Sequence, residues 1–164
     1  MYCNASLGCS FSYKDCNGNT KSAFLQYEAG KLGLYAGIED KAIDATYNQK
    51  NRLVGAKYDF GFAYVGGAYS VRDGATLATA DTGELKQTRA TVVVPFSAGY
   101  AVHGVYGKSE TSTEASTDHT VYKLAVSKAF SKRTTAYAAY VLTDYKTAST
   151  ADNNTYVVGI RHSF

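Results

Sequence analysis

The stretch Asn154-Thr155-Tyr156-Val157-Val158-Gly159-Ile160-Arg161-His162-Ser163-Phe164 decides the fold. Side chains of a strand alternate between its two faces. Tyr156, Val158, Ile160, His162 and Phe164 therefore share one face, and Thr155, Val157, Gly159, Arg161 and Ser163 share the other. The first face is aromatic and branched-apolar. The second is small and polar, with one cation. In water such a strand would turn its apolar face to a core. In a membrane barrel the apolar face meets lipid and the polar face meets a lumen.

The same alternation recurs upstream. It runs through Ser22–Glu28, Leu32–Glu39, Arg52–Phe60, Phe62–Arg72, Lys86–Val94, Gly99–Ser109, Thr120–Phe130 and Thr134–Tyr145. In Thr134–Tyr145 the two faces are too similar to fix the inward set. Residues 1–21 read as an irregular Cys-containing segment, with an optional further strand at Cys9–Lys14. Residues 22–164 read as one β domain. Strands of nine to eleven residues, tilted, cross a hydrocarbon slab. Short turns near residues 30, 61, 97 and 132 alternate with longer polar connections near 45, 78, 114 and 150. Pro95-Phe96-Ser97-Ala98 reads as one of the short turns. The asymmetry is that of outer-membrane barrels, with short periplasmic turns and longer extracellular loops. With that orientation Tyr27, Tyr58, Phe60, Tyr100, Phe130 and Phe164 collect near the inner interface, and Tyr106, Tyr122 and Tyr156 near the outer one. Lipocalin-like barrels and sandwiches also alternate. Uniform strand length, alternating loop lengths and mid-strand Arg and Lys weigh against them. The expected fold is all-β: an antiparallel up-and-down transmembrane β-barrel or partial barrel of nine or ten strands.

Composition agrees. Tyr and Gly number 15 each against one Pro and no Trp, which suits strands and tight turns. A net charge of +3 gives no reason to expect nucleic acid. No apolar run reaches the length of a transmembrane helix. Met1-Tyr2-Cys3-Asn4 carries neither the basic nor the apolar region of a signal peptide. Cys3, Cys9 and Cys16 match no zinc spacing and have no neighbouring His. One disulfide with a thiol left over is the expectation. No cofactor and no metal are expected.

Two stretches resemble the C-terminal part of a Gram-negative trimeric porin. Tyr122-Lys123-Leu124-Ala125 through Ala129-Phe130-Ser131-Lys132-Arg133-Thr134-Thr135-Ala136-Tyr137-Ala138 is similar to that family's penultimate hairpin. Val158-Gly159-Ile160-Arg161-His162-Ser163-Phe164 is similar to its last strand with a terminal Phe. Lys57-Tyr58-Asp59-Phe60-Gly61 matches a recurring hairpin. The resemblance covers residues 22–164 and implies the C-terminal half of a porin, in the outer membrane of a Gram-negative bacterium. It implies a homotrimer in contact with outer-membrane lipid. It also implies that Tyr156, Val158, Ile160 and Phe164 are the signal read by the barrel assembly machinery. A complete porin barrel has sixteen to eighteen strands and an aqueous channel. Nine or ten strands would instead close on side chains, or remain half a pore.

By parity Lys57, Arg72, Arg89, Lys123 and Arg161 face inward, against Glu28, Glu39 and Asp59. A ladder of cations in a low-dielectric wall concentrates anions. The expected activity is passive diffusion of small hydrophilic solutes and ions, with a weak anion preference. The same cations could instead pair with carboxylates on neighbouring strands and stabilise the wall. A small closed barrel with a structural or adhesive role is the alternative function. Enzymatic activity is not expected. Of His103, His119 and His162 only His103 looks inward, and no acid or nucleophile shares its stretch in a recognisable motif. A Ser, Asp or Glu within hydrogen-bond reach of His103 would reopen catalysis.

Overall fold

The computed structural model describes residues 9–16, 20–42, 48–74, 83–112, 118–146 and 151–163. Ten strands run in chain order. They are β1 (Cys9–Cys16), β2 (Thr20–Ala29), β3 (Leu32–Ala42), β4 (Asn48–Asp59), β5 (Tyr64–Asp73), β6 (Glu84–Phe96), β7 (Tyr100–Thr111), β8 (His119–Ala129), β9 (Thr134–Tyr145) and β10 (Asn153–His162). They form one sheet in the order β1 to β10, every neighbour antiparallel. β1 and β10 are its two edges, and among the described residues they do not pair with each other.

Several expectations change here. Cys9–Cys16 is a strand paired with β2 over its whole length, so the sheet has its tenth strand. Pro95 is not a turn residue. It lies in β6 opposite Ala101, and the turn is Ser97–Gly99, where Ala98 and Gly99 both take left-handed backbone (φ 61° and 76°). A Cβ at Gly99 would approach the Ala129 carbonyl oxygen to 2.8 Å, so glycine is required there. Cys3, Phe164 and the longer connections lie outside the described residues. So do the side chains of Cys9 and Cys16, and with them the expected cysteine pairing.

The apolar face is the exposed one. Tyr156, Val158 and Ile160 are 79%, 85% and 73% exposed, and Ile38 and Leu124 are also mostly bare. Among the described residues the only buried apolar side chains are Ala63, Ala125 and Ala139, and no large side chain is fully buried. The accessible surface, 11335 Å², compares with ~7,900 Å² for a folded soluble monomer of this mass. In water the exposed apolar row would cost ~25 cal/mol for each Å² left uncovered. In hydrocarbon it costs nothing, and the backbone is satisfied by the strand ladder.

Register sets the tilt. Tyr58, Val65, Val92, Gly104, Leu124, Tyr140 and Tyr156 occupy one hydrogen-bonded row on the outer face. Tyr58 is two residues from Phe60 at its turn, Val92 four from Phe96, and Tyr140 six from Thr134. The row therefore climbs away from the short-turn end as the chain proceeds, which is what tilted strands require. The climb separates the aromatics into two levels. Tyr58 meets Phe60 (4.7 Å between centroids), Phe60 meets Phe62 (5.9 Å), and Phe96 stacks on Tyr100 (5.7 Å) near the short turns. Tyr106–Tyr122 (5.6 Å) and Tyr140–Tyr156 (5.2 Å) sit further toward the other end.

The short turns are built locally. Ser131 Oγ accepts the N–H of Arg133 and of Thr134, both at 3.1 Å. Phe130 N donates to the Thr134 carbonyl at 2.9 Å, and Ser163 N to the Arg133 carbonyl at 2.9 Å. The Ser-Lys-Arg-Thr turn thus also pins the end of β10. At the opposite end Asp118, buried, accepts the Thr111 N–H at 2.6 Å and lies 3.5 Å from Lys146 Nζ.

Candidate pore wall

Directly paired residues point to the same face of an antiparallel sheet. The inner face can therefore be read row by row. One row is Glu28–Gly33–Lys57–Gly66–Thr91–Val105–Lys123–Val141–Thr155. The next, toward the longer connections, is Gln26–Tyr35–Gly55–Ala68–Arg89–Gly107–Val121–Thr143. Beyond it lies Phe24–Gly37–Leu53–Ser70–Gln87–Ser109–His119–Tyr145, so His119 shares the inner face with His103, contrary to the expectation from sequence. Arg161 opposes Thr135 near the short-turn rim. All five inward cations expected from sequence fall on this face. On β9 the inward set is Thr135, Tyr137, Ala139, Val141 and Thr143, because register couples them to β10.

The cations divide into two kinds. Lys57 Nζ donates to Glu28 Oε1 at 2.6 Å, across the glycine at position 33 that lets its stem lie flat. Arg72 Nε donates to Asn51 Oδ1 at 2.9 Å, and Asn51 Nδ2 donates to Glu39 Oε1 at 2.9 Å. These two assemblies are electrically neutral and brace neighbouring strands. Arg89, Lys123 and Arg161 form no ion pair and no hydrogen bond within the described residues. Among the described residues they stand as uncompensated charge on this face. Asp59 departs from its expected role: its carboxylate accepts the Gly61 N–H at 2.7 Å and shapes a turn.

Aromatic side chains also lie flat on this face. Tyr35 covers Gly55 and donates its hydroxyl to the Gly67 carbonyl at 3.3 Å. Tyr137 covers Gly159. Sequence reasoning missed these pairs, since Tyr-opposite-Gly is visible only once register is known.

His103 does have a hydroxyl partner. Its Nε2 lies 2.8 Å from Ser127 Oγ. Among the described residues no carboxylate is bonded to this imidazole, and no group of three metal-ligating side chains occurs. Most charged side chains on the outer face lie at the end with the longer connections. They pair there as Arg52–Asp73 (3.5 Å), Lys86–Glu84 (3.2 Å) and Lys108–Glu110 (2.8 Å). Lys128 is at the short-turn end, its Nζ 3.8 Å from the centre of the Tyr100 ring and donating to the Ala98 carbonyl. Beyond β9, Lys146 is held above the usual lysine range, chiefly by its hydrogen bond to Glu110 (3.2 Å).

An exposed apolar face, a polar face opposite it and a tilted ten-stranded ladder describe a barrel wall. The profile of the Gram-negative porins matches residues 4–163. The chain belongs to the Gram-negative porin family. It is thus an outer-membrane protein of β-barrel type, although among the described residues β1 and β10 do not pair. Among solved structures it is similar to the anion-selective porin from Comamonas acidovorans, with TM-score 0.76 and 16% identity over 95% of this chain and 55% of that one. It is also similar to a loop-deleted form of OmpT, an outer membrane protein of Vibrio cholerae, with TM-score 0.76 and 18% identity over 98% and 60%. The trimer form of OmpT gives TM-score 0.73 and 17% identity over 98% and 62%. At these identities the likeness is one of fold. The porin chain spans a little over half the length of the structures it matches. No curated protein sequence matches it.

Proposed function

We propose that the chain forms much of the wall of a passive diffusion channel for small hydrophilic solutes and ions, with a weak preference for anions. One observation carries the reading: among the described residues Arg89, Lys123 and Arg161 have no counter-charge paired to them, whereas Glu28 and Glu39 are tied into neutral assemblies. Uncompensated cations in a low-dielectric wall raise the local concentration of anions. The anion-selective porin of Comamonas acidovorans is a precedent for this preference on a similar fold. The trimer form of the Vibrio protein supports a homotrimer.

The exposed apolar band fits outer-membrane lipid, and Tyr156, Val158, Ile160 and Phe164 fit a signal for the barrel assembly machinery. The pore-lining set is Lys57, Arg72, Arg89, Lys123, Arg161 and Glu39, with Asp59 at the rim of a turn. We read no catalytic role. A Ser–His contact without an acid to orient the imidazole lacks the third member that activates a nucleophile. A small closed barrel with a structural or adhesive role is less favoured, because β1 and β10 do not pair among the described residues.

Reversal potentials in a planar bilayer under a salt gradient test the proposal. The expected sign is that of chloride preference. A clear cation preference refutes the selectivity, and insertion without conductance returns the reading to a closed barrel.

A further inference from the structure

The third inner row differs from its neighbours. Ser70, Gln87, Ser109 and His119 are direct cross-strand partners over β5, β6, β7 and β8, so four hydrogen-bonding side chains lie side by side without interruption. Arg89 stands two residues along β6 from Gln87, on the same face. Its own cross-strand partners are Ala68 and Gly107, too small to cover it. These residues line a groove of about 400 Å³, within the size range of ligand pockets. His119 and Tyr145 close the row with tilted rings 5.7 Å apart.

Several polar groups elsewhere on this wall satisfy one another, as in Glu28–Lys57 and Glu39–Asn51–Arg72. Here they do not. Ser70, Gln87, Arg89 and Ser109 have no hydrogen-bond partner among the described residues. Four unpartnered side chains of this kind, Ser70, Gln87, Arg89 and Ser109, are not needed to hold the sheet together. The serine hydroxyls and the Gln87 amide both donate and accept, which suits sugar hydroxyls that also do both. The Arg89 guanidinium is a fixed planar fork that grips a carboxylate through two parallel hydrogen bonds. The ring pair offers an apolar edge for the C–H face of a pyranose.

From this geometry we propose that the groove is a recognition site for small polyhydroxylated carboxylates, of the sugar-acid class. The carboxylate docks on Arg89, and the hydroxyls lie along Gln87, Ser70 and Ser109. The site rests on the pore-wall reading of the inner face, and it adds recognition to diffusion.

Titration calorimetry on the chain folded in detergent micelles tests the site without requiring conductance. D-glucuronate is the probe. Acetate supplies the charge alone, and glucose supplies the hydroxyls alone. Glucuronate is expected to bind at least tenfold more tightly than either. Arg89→Gln and Gln87→Leu should each weaken it tenfold or more, and Ser109→Ala severalfold. Arg89→Lys, which keeps the charge and loses the fork, should fall between wild type and Arg89→Gln. Circular dichroism establishes that each variant is folded, and Ser109→Ala remains informative if the others are not. Equal affinity for glucuronate and acetate overturns the proposal, as does undiminished binding by a folded Arg89→Gln. Bilayer recordings separate the two readings. Anion preference without glucuronate binding sinks the site alone. Binding without anion preference sinks the proposed selectivity alone.

Discussion

Substituting one glycine for alanine should have opposite effects on adjacent strands. Gly55 on β4 lies beneath the Tyr35 ring, and a Cβ there would sit within 2.5 Å of the ring carbons and the hydroxyl. The ring is held on both sides, by packing on the glycine and by its hydrogen bond to the Gly67 carbonyl. Gly55→Ala must push it off. Forcing a packed side chain aside costs ~1–3 kcal/mol, and losing the neutral hydrogen bond adds ~1 kcal/mol. The expected destabilisation is thus about 2–4 kcal/mol, summed from those two effects. Gly67 on β5 faces outward, and a Cβ there would meet only the Arg89 carbonyl oxygen at 3.8 Å, an ordinary contact. Gly67→Ala gains the ~0.5–1 kcal/mol that glycine forfeits in a strand through its freedom when unfolded. Tyr35→Phe isolates the hydrogen bond and should cost ~1 kcal/mol. Reversible urea unfolding of the protein in lipid vesicles, followed by circular dichroism, measures all three. If Gly55→Ala and Gly67→Ala shift stability in the same direction by the same amount, Tyr35 does not clasp β4, and the account of the inner wall is wrong.

Other perturbations probe the wall and its ends. Glu28→Gln should strengthen anion preference by freeing Lys57, while Glu28→Gln with Lys57→Gln should return it near wild type; reversal potentials that ignore the single change would mean that the pair does not face the lumen. Asp118→Ala removes the acceptor of a charge-assisted bond worth ~1.5–3 kcal/mol; hydrogen exchange at the Thr111 amide should accelerate, and unchanged protection would discount the contact. Ser127 should remain unlabelled by fluorophosphonates, and Ser127→Ala should leave conductance unchanged; stoichiometric labelling would reopen catalysis. Lys146 has a raised pKa, so its tie to Glu110 contributes fully below the ordinary lysine value of 10.5 and is lost as pH climbs through the higher folded value. The protection factor of the Lys146 amide, which donates to the Asp118 carbonyl, should therefore fall only in strong alkali, and a loss of protection near neutrality, after correction for base-catalysed intrinsic exchange, would contradict the sign.

Most of the sheet was legible because parity survives errors of boundary. In Asn154–Phe164 the parity reading puts Tyr156, Val158, Ile160 and His162 on one face, as the register does, although β10 is Asn153–His162. A strand shifted by a residue at its end keeps each side chain on its own face. The same logic puts Lys57, Arg72, Arg89, Lys123 and Arg161 on one shared face, which the register also does. It failed at Thr134–Tyr145, where Ala and Tyr occur on both faces, and only the register with β10 resolves them. Pro95 misled because its missing N–H argues for a turn, yet at the last rungs of β6 the strand accommodates it. The division of the cations into braced and bare was illegible for a simpler reason. It depends on which residue stands opposite, and Glu28 is separated from Lys57 by 29 positions.

The climbing outer row has a consequence for modularity. Two residues at β4, four at β6 and six at β9 amount to about one residue of climb per strand. With a rise of ~3.3 Å per residue and ~4.8 Å between strands, that slope is a tilt of roughly 35°. Since slope is a ratio, it does not depend on how many strands follow. A whole hairpin adds two strands and two residues of climb together, so circumference can grow in hairpin units while the angle stays fixed. An odd strand cannot be added this way, because it would arrive at the wrong rim. Bore is then a matter of counting hairpins, and every existing rung keeps its partner when the count changes.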